Sequence, residues 1–473
     1  MSTTYVFRDR WKRYFSMSES SSSAVTVRLH DRYLGAPEVA AHFSVRAQVQ
    51  AMLDVEAALA ESQAACGMVP NECVAPIRAA AEVDLYDCDA LIDELANAGA
   101  PAVPVVKALT AEVARTDPKA AKFVHWGGTT QDVTDTALVL QLRQAVPMVI
   151  GRLDEAAAAA AALARRHADV PMAGRTWLQQ ATPVSFGLKA AGWLDGLARV
   201  TATLRVALDD LLVLQFGGAT GTLASMGPSA LLVEAELASR LNLSVADTPW
   251  HAQRDRLGHL GSALGVAVGI AGKVARDVAL LAQSEVGEAW EQGAAGRGRS
   301  STMPQKRNPM GASVALAAAV RVPGLVASLL HALPQEHERG LGGWQAEWDL
   351  VPDLVIVAAS GAGGVADSLT RLEIDPDRML ANLEASRGLP LAESVSMALA
   401  ASVGKEEAHH LVARACRRVA EEGRSLAEVL TDDETVAAHL DGNEIRRRLD
   451  PRRYLGQSQA FIDRVLARWE TKR

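Results

Sequence analysis

Aromatic residues are scarce in this 473-residue chain, at 4%, although almost half of it is apolar and alanine is abundant. That shortage, with little alternation of β-branched residues, argues against a β-sandwich and for long, closely packed helices. Cysteine is also sparse: Cys66, Cys73, Cys88 and Cys416 show no CxxC pairing and no ligand spacing with histidine. A disulfide framework or zinc site is therefore not expected, and the four read as buried thiols of a cytoplasmic protein. His409 and His410 are adjacent, not one helical turn apart, so they do not suggest a shared metal. Positive charge is in deficit. The 48 Lys and Arg against 56 Asp and Glu give −8, which excludes nucleic acid as an expected partner. No GxGxxG or Walker loop follows a credible strand, and the glycines of Ser360–Gly364 are too weak a signal to count. No metal or organic cofactor is expected. The first 25 residues carry Arg8, Arg10, Lys12 and Arg13 and no apolar h-region, so they do not read as a secretion signal. The longest apolar run, Leu257 to Gly272, is broken by glycine and contains His259, so no membrane span is expected.

What is present is helical periodicity. We expect an all-α protein of three helical domains. Residues 1–27, with the serine run Ser18–Ser23, read as a flexible leader. Residues 28–124 form an N-terminal domain with patterns such as FSVRAQVQAMLDVEAALAESQAACG. Residues 125–372 form a central domain whose segments, ALGVAVGIAGKVARDVALLAQ among them, are apolar almost all round. Helices without a polar face must be buried on every side, and several of them imply a bundle shared between subunits. Residues 373–473, richer in charge and with shorter helices, form a C-terminal domain.

The most informative stretch is GRSSTMPQKRNP, Gly298 to Pro309, within a loop spanning residues 292–310. It places Ser300, Ser301, Lys306, Arg307 and Asn308 within nine residues, after Gly293, Gly296 and Gly298. No acidic residue occurs from Gln292 to Gln335. Composition alone is equally compatible with a solvated basic loop. A cationic, hydroxyl-rich, glycine-hinged loop in an acidic chain suggests a lid over an anionic substrate.

The loop resembles the signature of the fumarase/aspartase superfamily, roughly Gly-Ser-Ser-x-Met-Pro-x-Lys-x-Asn-Pro. Ten consecutive positions, Ser300 to Pro309, fit, and Arg299 departs from the usual glycine. The resemblance implies a long central bundle associating as a homotetramer, with each active site built from three subunits. It also implies roles. Ser300 is the base toward carbon beside a carboxylate, and Lys306 and Asn308 hold that carboxylate as charge spreads onto it. HWGGTTQD, His125 to Asp132, resembles a second family segment, which implies that His125, Thr129 and Thr130 contact substrate at a helix N-terminus. A plain helix cap is the simpler reading of Thr129 or Thr130.

A third segment, GRTWLQQATPVSFG from Gly174, separates branches of the superfamily. Amine- and water-releasing members have a general-acid histidine where this chain has Trp177, and an orienting glutamate where it has Ser313. A departing amine or hydroxide needs a proton, whereas a carboxylate of pKa about 4 leaves without one. The branch with a carboxylate leaving group closes 3-carboxy-cis,cis-muconate to a γ-lactone in β-ketoadipate aromatic catabolism. RTWLQ, QFGGATGTLA from Gln215, PWHAQRDRL from Pro249 and PQEHERGLGGWQAEW from Pro334 resemble that branch. The implied partner is a small tricarboxylate. Arg254 and Arg339, with Lys306 and Asn308, would bind its carboxylates, and Trp177 and Trp344 would wall the pocket. Gln180 departs from members with histidine there, and its role stays open. The alternatives are an amine-releasing lyase like adenylosuccinate lyase, which Trp177 and Ser313 oppose, and a non-catalytic structural homologue, which the intact loop opposes.

Overall fold

A computed structural model describes residues 30–293, 303 and 305–471. After two single-turn helices the first long helix is α1 (Val45–Ala65), opened by Ser44, whose Oγ accepts from Ala47 N. Along α1, Val49, Met52, Leu53, Glu56, Leu59, Ala60 and Gln63 recur at helical spacing and are all buried. Beyond the shorter helices Val74–Ala80 and Cys88–Ala98 come α2 (Ala102–Thr116) and α3 (Thr130–Arg166), the latter about 55 Å long for its 37 residues. The hairpin β1 (Pro171–Thr176) and β2 (Gln179–Ser185) follows, then α4 (Phe186–Leu211), α5 (Ala230–Leu241) and α6 (Asp255–Leu281). After β3 (Ala289–Glu291) come α7 (Met310–Ala332), α8 (Gly343–Thr370) and β4 (Leu372–Ile374). The remaining longer helices are α9 (Pro376–Glu384), α10 (Ala392–Val403), α11 (Lys405–Glu422) and α12 (Ser458–Glu470).

The fold is mostly helical, as the scarcity of aromatic and β-branched residues suggested. Among the described residues its strands form two small antiparallel pairs, β1 with β2 and β3 with β4. Helices α3, α4, α6, α7 and α8 pack side by side as the central bundle. Glycine is what lets α7 come so close to its neighbours. A Cβ on Gly261 would lie 2.5 Å from a Leu329 methyl, and one on Gly364 would lie 2.8 Å from both Ala315 N and Gly311 O. These contacts also give direction: α7 starts beside the C-terminal half of α8 and ends beside the start of α6.

One continuous hydrophobic core runs from Ala36 to Leu466 and joins the N-terminal helices to the bundle. A second, smaller core gathers Val395, Leu399, Leu411, Val429 and Ile445. Helix α12 leaves that second unit and returns to pack on α4.

Helices α7 and α8 are each long and apolar enough to cross a membrane by length and composition. For α8 the reason is burial at the centre of the bundle; α7 keeps an exposed apolar face, with Val320 79% exposed.

Candidate active site

Four of the segments singled out in the sequence meet at one end of the bundle, where α3 and α8 begin. Thr129 is the N-cap of α3 and Thr130 its first residue, both half-buried. The first two turns of α3 then carry two carboxylates inward, and each organises a motif. Asp132 accepts from Gly217 N and Gly218 N at 2.9 Å each, from His251 Nε2 at 2.7 Å and from Thr129 N at 3.2 Å. This is why the QFGG turn needs its glycines. A Cβ on Gly217 would fall 2.7 Å from Pro249, and Gly218 has φ +68°.

Asp135, one turn further on, accepts from Arg254 Nη1 at 2.6 Å and from Trp344 Nε1 at 3.0 Å. Arg254 also donates to Glu347 through Nε and Nη2, the shortest contact being 2.5 Å. Burial works against the charge of Arg254, but the Asp135 and Glu347 carboxylates outweigh it and hold its pKa above the ordinary guanidinium value. Burial also pushes the Glu347 carboxyl up, against the pull of Arg254. Gln131 Nε2 donates to Asp135 at 3.0 Å and to His251 O at 2.9 Å, which turns its carbonyl oxygen toward Arg339 Nη1, 3.0 Å away. Arg339 also donates to Gly218 O and Ala219 O, and stays half-exposed.

Two of the expected substrate ligands are therefore corrected. Arg254 is 1% exposed and its Nε, Nη1 and Nη2 all engage carboxylates, so it cannot reach a substrate carboxylate here. It braces the end of the bundle instead. Trp344 is 7% exposed, bonded to Asp135 and edge-on to Trp348 with centroids 5.1 Å apart, so it is an interior strut and not a pocket wall. His125 lies at this end too. Its Nδ1 donates to Glu56 Oε1 on α1 over 2.6 Å, and its φ of +56° is left-handed.

The other segments lie elsewhere. Trp177 and Leu178 form the two-residue turn between paired Thr176 and Gln179, with φ of +53° and +64°. Such a turn ordinarily takes asparagine and glycine, and a bulky residue there costs about 1–3 kcal/mol. Trp177 is nonetheless held 95% exposed. The hairpin is fastened just behind its turn: Arg175 makes a paired contact with buried Glu288 at 2.6 and 2.9 Å, and Gln180 Nε2 donates to Asn382 O on α9. Ser300 lies outside the described residues. Lys306 is exposed and Asn308 half-exposed, just ahead of α7. Glu291 anchors that helix start by accepting from Gly311 N and Ala312 N, both at 2.9 Å, and Arg307 stacks over Trp290. Ser313 Oγ meets Tyr33 Oη at 2.5 Å and so has a local partner rather than a histidine. Trp344 and Gly364 stand 20 residues apart on α8, about 30 Å, so the loop side and the Arg339 side of the chain are far separated.

Comparison with known proteins places the class first. A lyase family model matches residues 32–324, and one for the adenylosuccinate lyase C-terminus matches residues 388–465. The chain belongs to the fumarase/aspartase lyase superfamily. Within it, the chain is 51% identical to 3-carboxy-cis,cis-muconate cycloisomerase of Pseudomonas aeruginosa, over 93% of this chain and 96% of that one. The crystal structure of the 3-carboxy-cis,cis-muconate lactonizing enzyme from Pseudomonas putida superposes with a TM-score of 0.90 at 45% identity, covering 94% and 99% of the two chains. Nitrosuccinate lyase of Streptomyces davaonensis is 40% identical over 96% of this chain and 97% of its own.

Proposed function

We propose that this protein closes 3-carboxy-cis,cis-muconate to a γ-lactone in β-ketoadipate aromatic catabolism, and that it does so in the cytoplasm without a protein-derived acid for the leaving group. The observation that carries the reading is Trp177. At the hairpin position where amine- and water-releasing relatives hold their acid, this chain pushes out an indole on a strained turn. A carboxylate that adds to, or leaves from, carbon needs no such acid. The 51% identity with a cycloisomerase over nearly the whole chain supports the same substrate.

In this mechanism one substrate carboxylate attacks the ring-closing carbon, and the adjacent carbon takes a proton from Ser300-OH, which acts as base in the reverse direction. Lys306 and Asn308 stabilise the enolate-like dianion between those events, the interaction expected to contribute most. Arg339, with Thr129, Thr130 and His125 at the start of α3, holds the other carboxylates. The proton on Ser300 is the step most open to replacement by water, and Ser300→Ala with near-normal turnover would remove the serine from it.

The site is completed by oligomerisation. The roughly 30 Å between the Arg339 end and the loop end, measured along α8, supports a site assembled from three subunits of a homotetramer. The exposed apolar face of α7 supplies a surface for the shared bundle. The test is direct: purified protein with EDTA and 3-carboxy-cis,cis-muconate, product identified by proton NMR. A γ-lactone supports the proposal. Intact substrate from a folded oligomer contradicts it.

A further inference from the structure

Glu56 is the least explained charge near the site. It lies in the middle of α1, 1% exposed, on a face with Met52, Leu53 and Leu59. A carboxylate removed from water is costly unless it is paired. Among the described residues its one hydrogen bond is to His125 Nδ1, at 2.6 Å, within the range of charge-assisted contacts. Oε2 is buried with no partner among the described residues. Two turns along the same face, Gln63 Nε2 donates to Trp126 O at 2.6 Å. Helix α1 thus grips both His125 and Trp126, and these two contacts hold His125 at its left-handed φ. The imidazole remains partly open, at 19% side-chain exposure, and its Nε2 has no partner among the described residues.

We propose that Glu56 is a positioning residue that fixes His125 as an imidazolium, with Nε2–H left to grip a substrate carboxylate beside Thr129. His125 is then an anchor for substrate and not a proton acceptor in the reaction. This rests on the tricarboxylate reading above. The charged groups bearing on the ring are Glu56 from α1 and Asp132 from α3; His251 reaches it only through Asp132. Burial of the ring opposes its charge, but the Glu56 hydrogen bond and the charges of Glu56 and Asp132 outweigh it, so His125 is raised from its ordinary value. The imidazolium is lost only as pH rises through that raised value. Carboxylate binding therefore persists to higher pH than a free histidine would allow.

The test uses the full-length protein with 13C-labelled histidine, the His125 signal being assigned by its loss in His125→Gln. The expected wild-type midpoint lies above about 6.5, the ordinary histidine value, and Glu56→Gln moves it down by about one unit or more. In the same variant KM for the tricarboxylate rises about tenfold at neutral pH while kcat changes far less, and the rise of KM with pH begins earlier, as loss of a charge-assisted contact requires. A wild-type midpoint at or below the ordinary value overturns the proposal even if Glu56→Gln does not fold. A shifted midpoint with unchanged KM overturns the anchoring role. If no tricarboxylate is turned over, the reaction assignment fails, while the ring titration still decides whether Glu56 charges His125.

Discussion

Arg254 shows what a single residue can hide. In the sequence it is one arginine within QRDR, well suited to a carboxylate ligand. In the structure it sits between Asp135 and Glu347, residues 119 and 93 positions away in the chain. Nothing local announces that convergence, because it depends on α3, α6 and α8 starting at the same end of the bundle. Removing the guanidinium strands two buried carboxylates. Arg254→Ala is therefore expected to lower unfolding free energy in urea by about 3–5 kcal/mol. An exposed pair such as Arg46–Asp84 is expected to give no more than about 1 kcal/mol when broken. Equal effects from the two would contradict the bracing role of Arg254. Glu56, by contrast, left a trace that could have been followed: it interrupts an apolar helical face with a charge, which burial makes expensive. His125 also links to stability. Since its pKa is raised, its contribution is present in full below the unfolded value and fades as pH climbs through the folded one.

Whole elements were more legible than single contacts. The helical spacing of α1 and the all-round apolar character of α6 and α7 gave the architecture, because helix burial writes itself into period and composition. The hairpin β1–β2 did not show, since its turn carries Trp177 and Leu178 where a turn signal would be asparagine or glycine. The packing of α7 on α8 offers a test in which the sign decides. In an exposed helix, glycine to alanine gains about 0.5–1 kcal/mol. At Gly364 the new Cβ would stand 2.8 Å from backbone atoms of α7, Ala315 N and Gly311 O, and overpacking of that kind costs about 1–3 kcal/mol. Gly364→Ala is thus expected to lower the urea midpoint. A higher midpoint would mean that α7 and α8 are not in close contact there.

For the molecule as a whole, the end that carries Arg339 and the end where α7 begins, just after Lys306 and Asn308, lie roughly 30 Å apart along α8, and Trp177 stands 95% exposed on its hairpin turn. The motifs announced the chemistry but not their separation along α8, which follows only once the helices are placed and which supports the proposed sharing of each site between subunits. The account predicts that two damaged proteins can repair each other. Arg339→Ala and Lys306→Ala are each expected to be inactive toward 3-carboxy-cis,cis-muconate. Unfolded together in equal amounts and refolded as mixed oligomers, they should regain roughly a quarter of wild-type activity, because random mixing in a closed oligomer leaves that share of sites with both residues intact. The readout is loss of the conjugated-diene absorbance, against each variant refolded alone. Recovery near that level is the predicted result; mixed oligomers that form but stay as inactive as the separate variants would contradict a site shared between subunits.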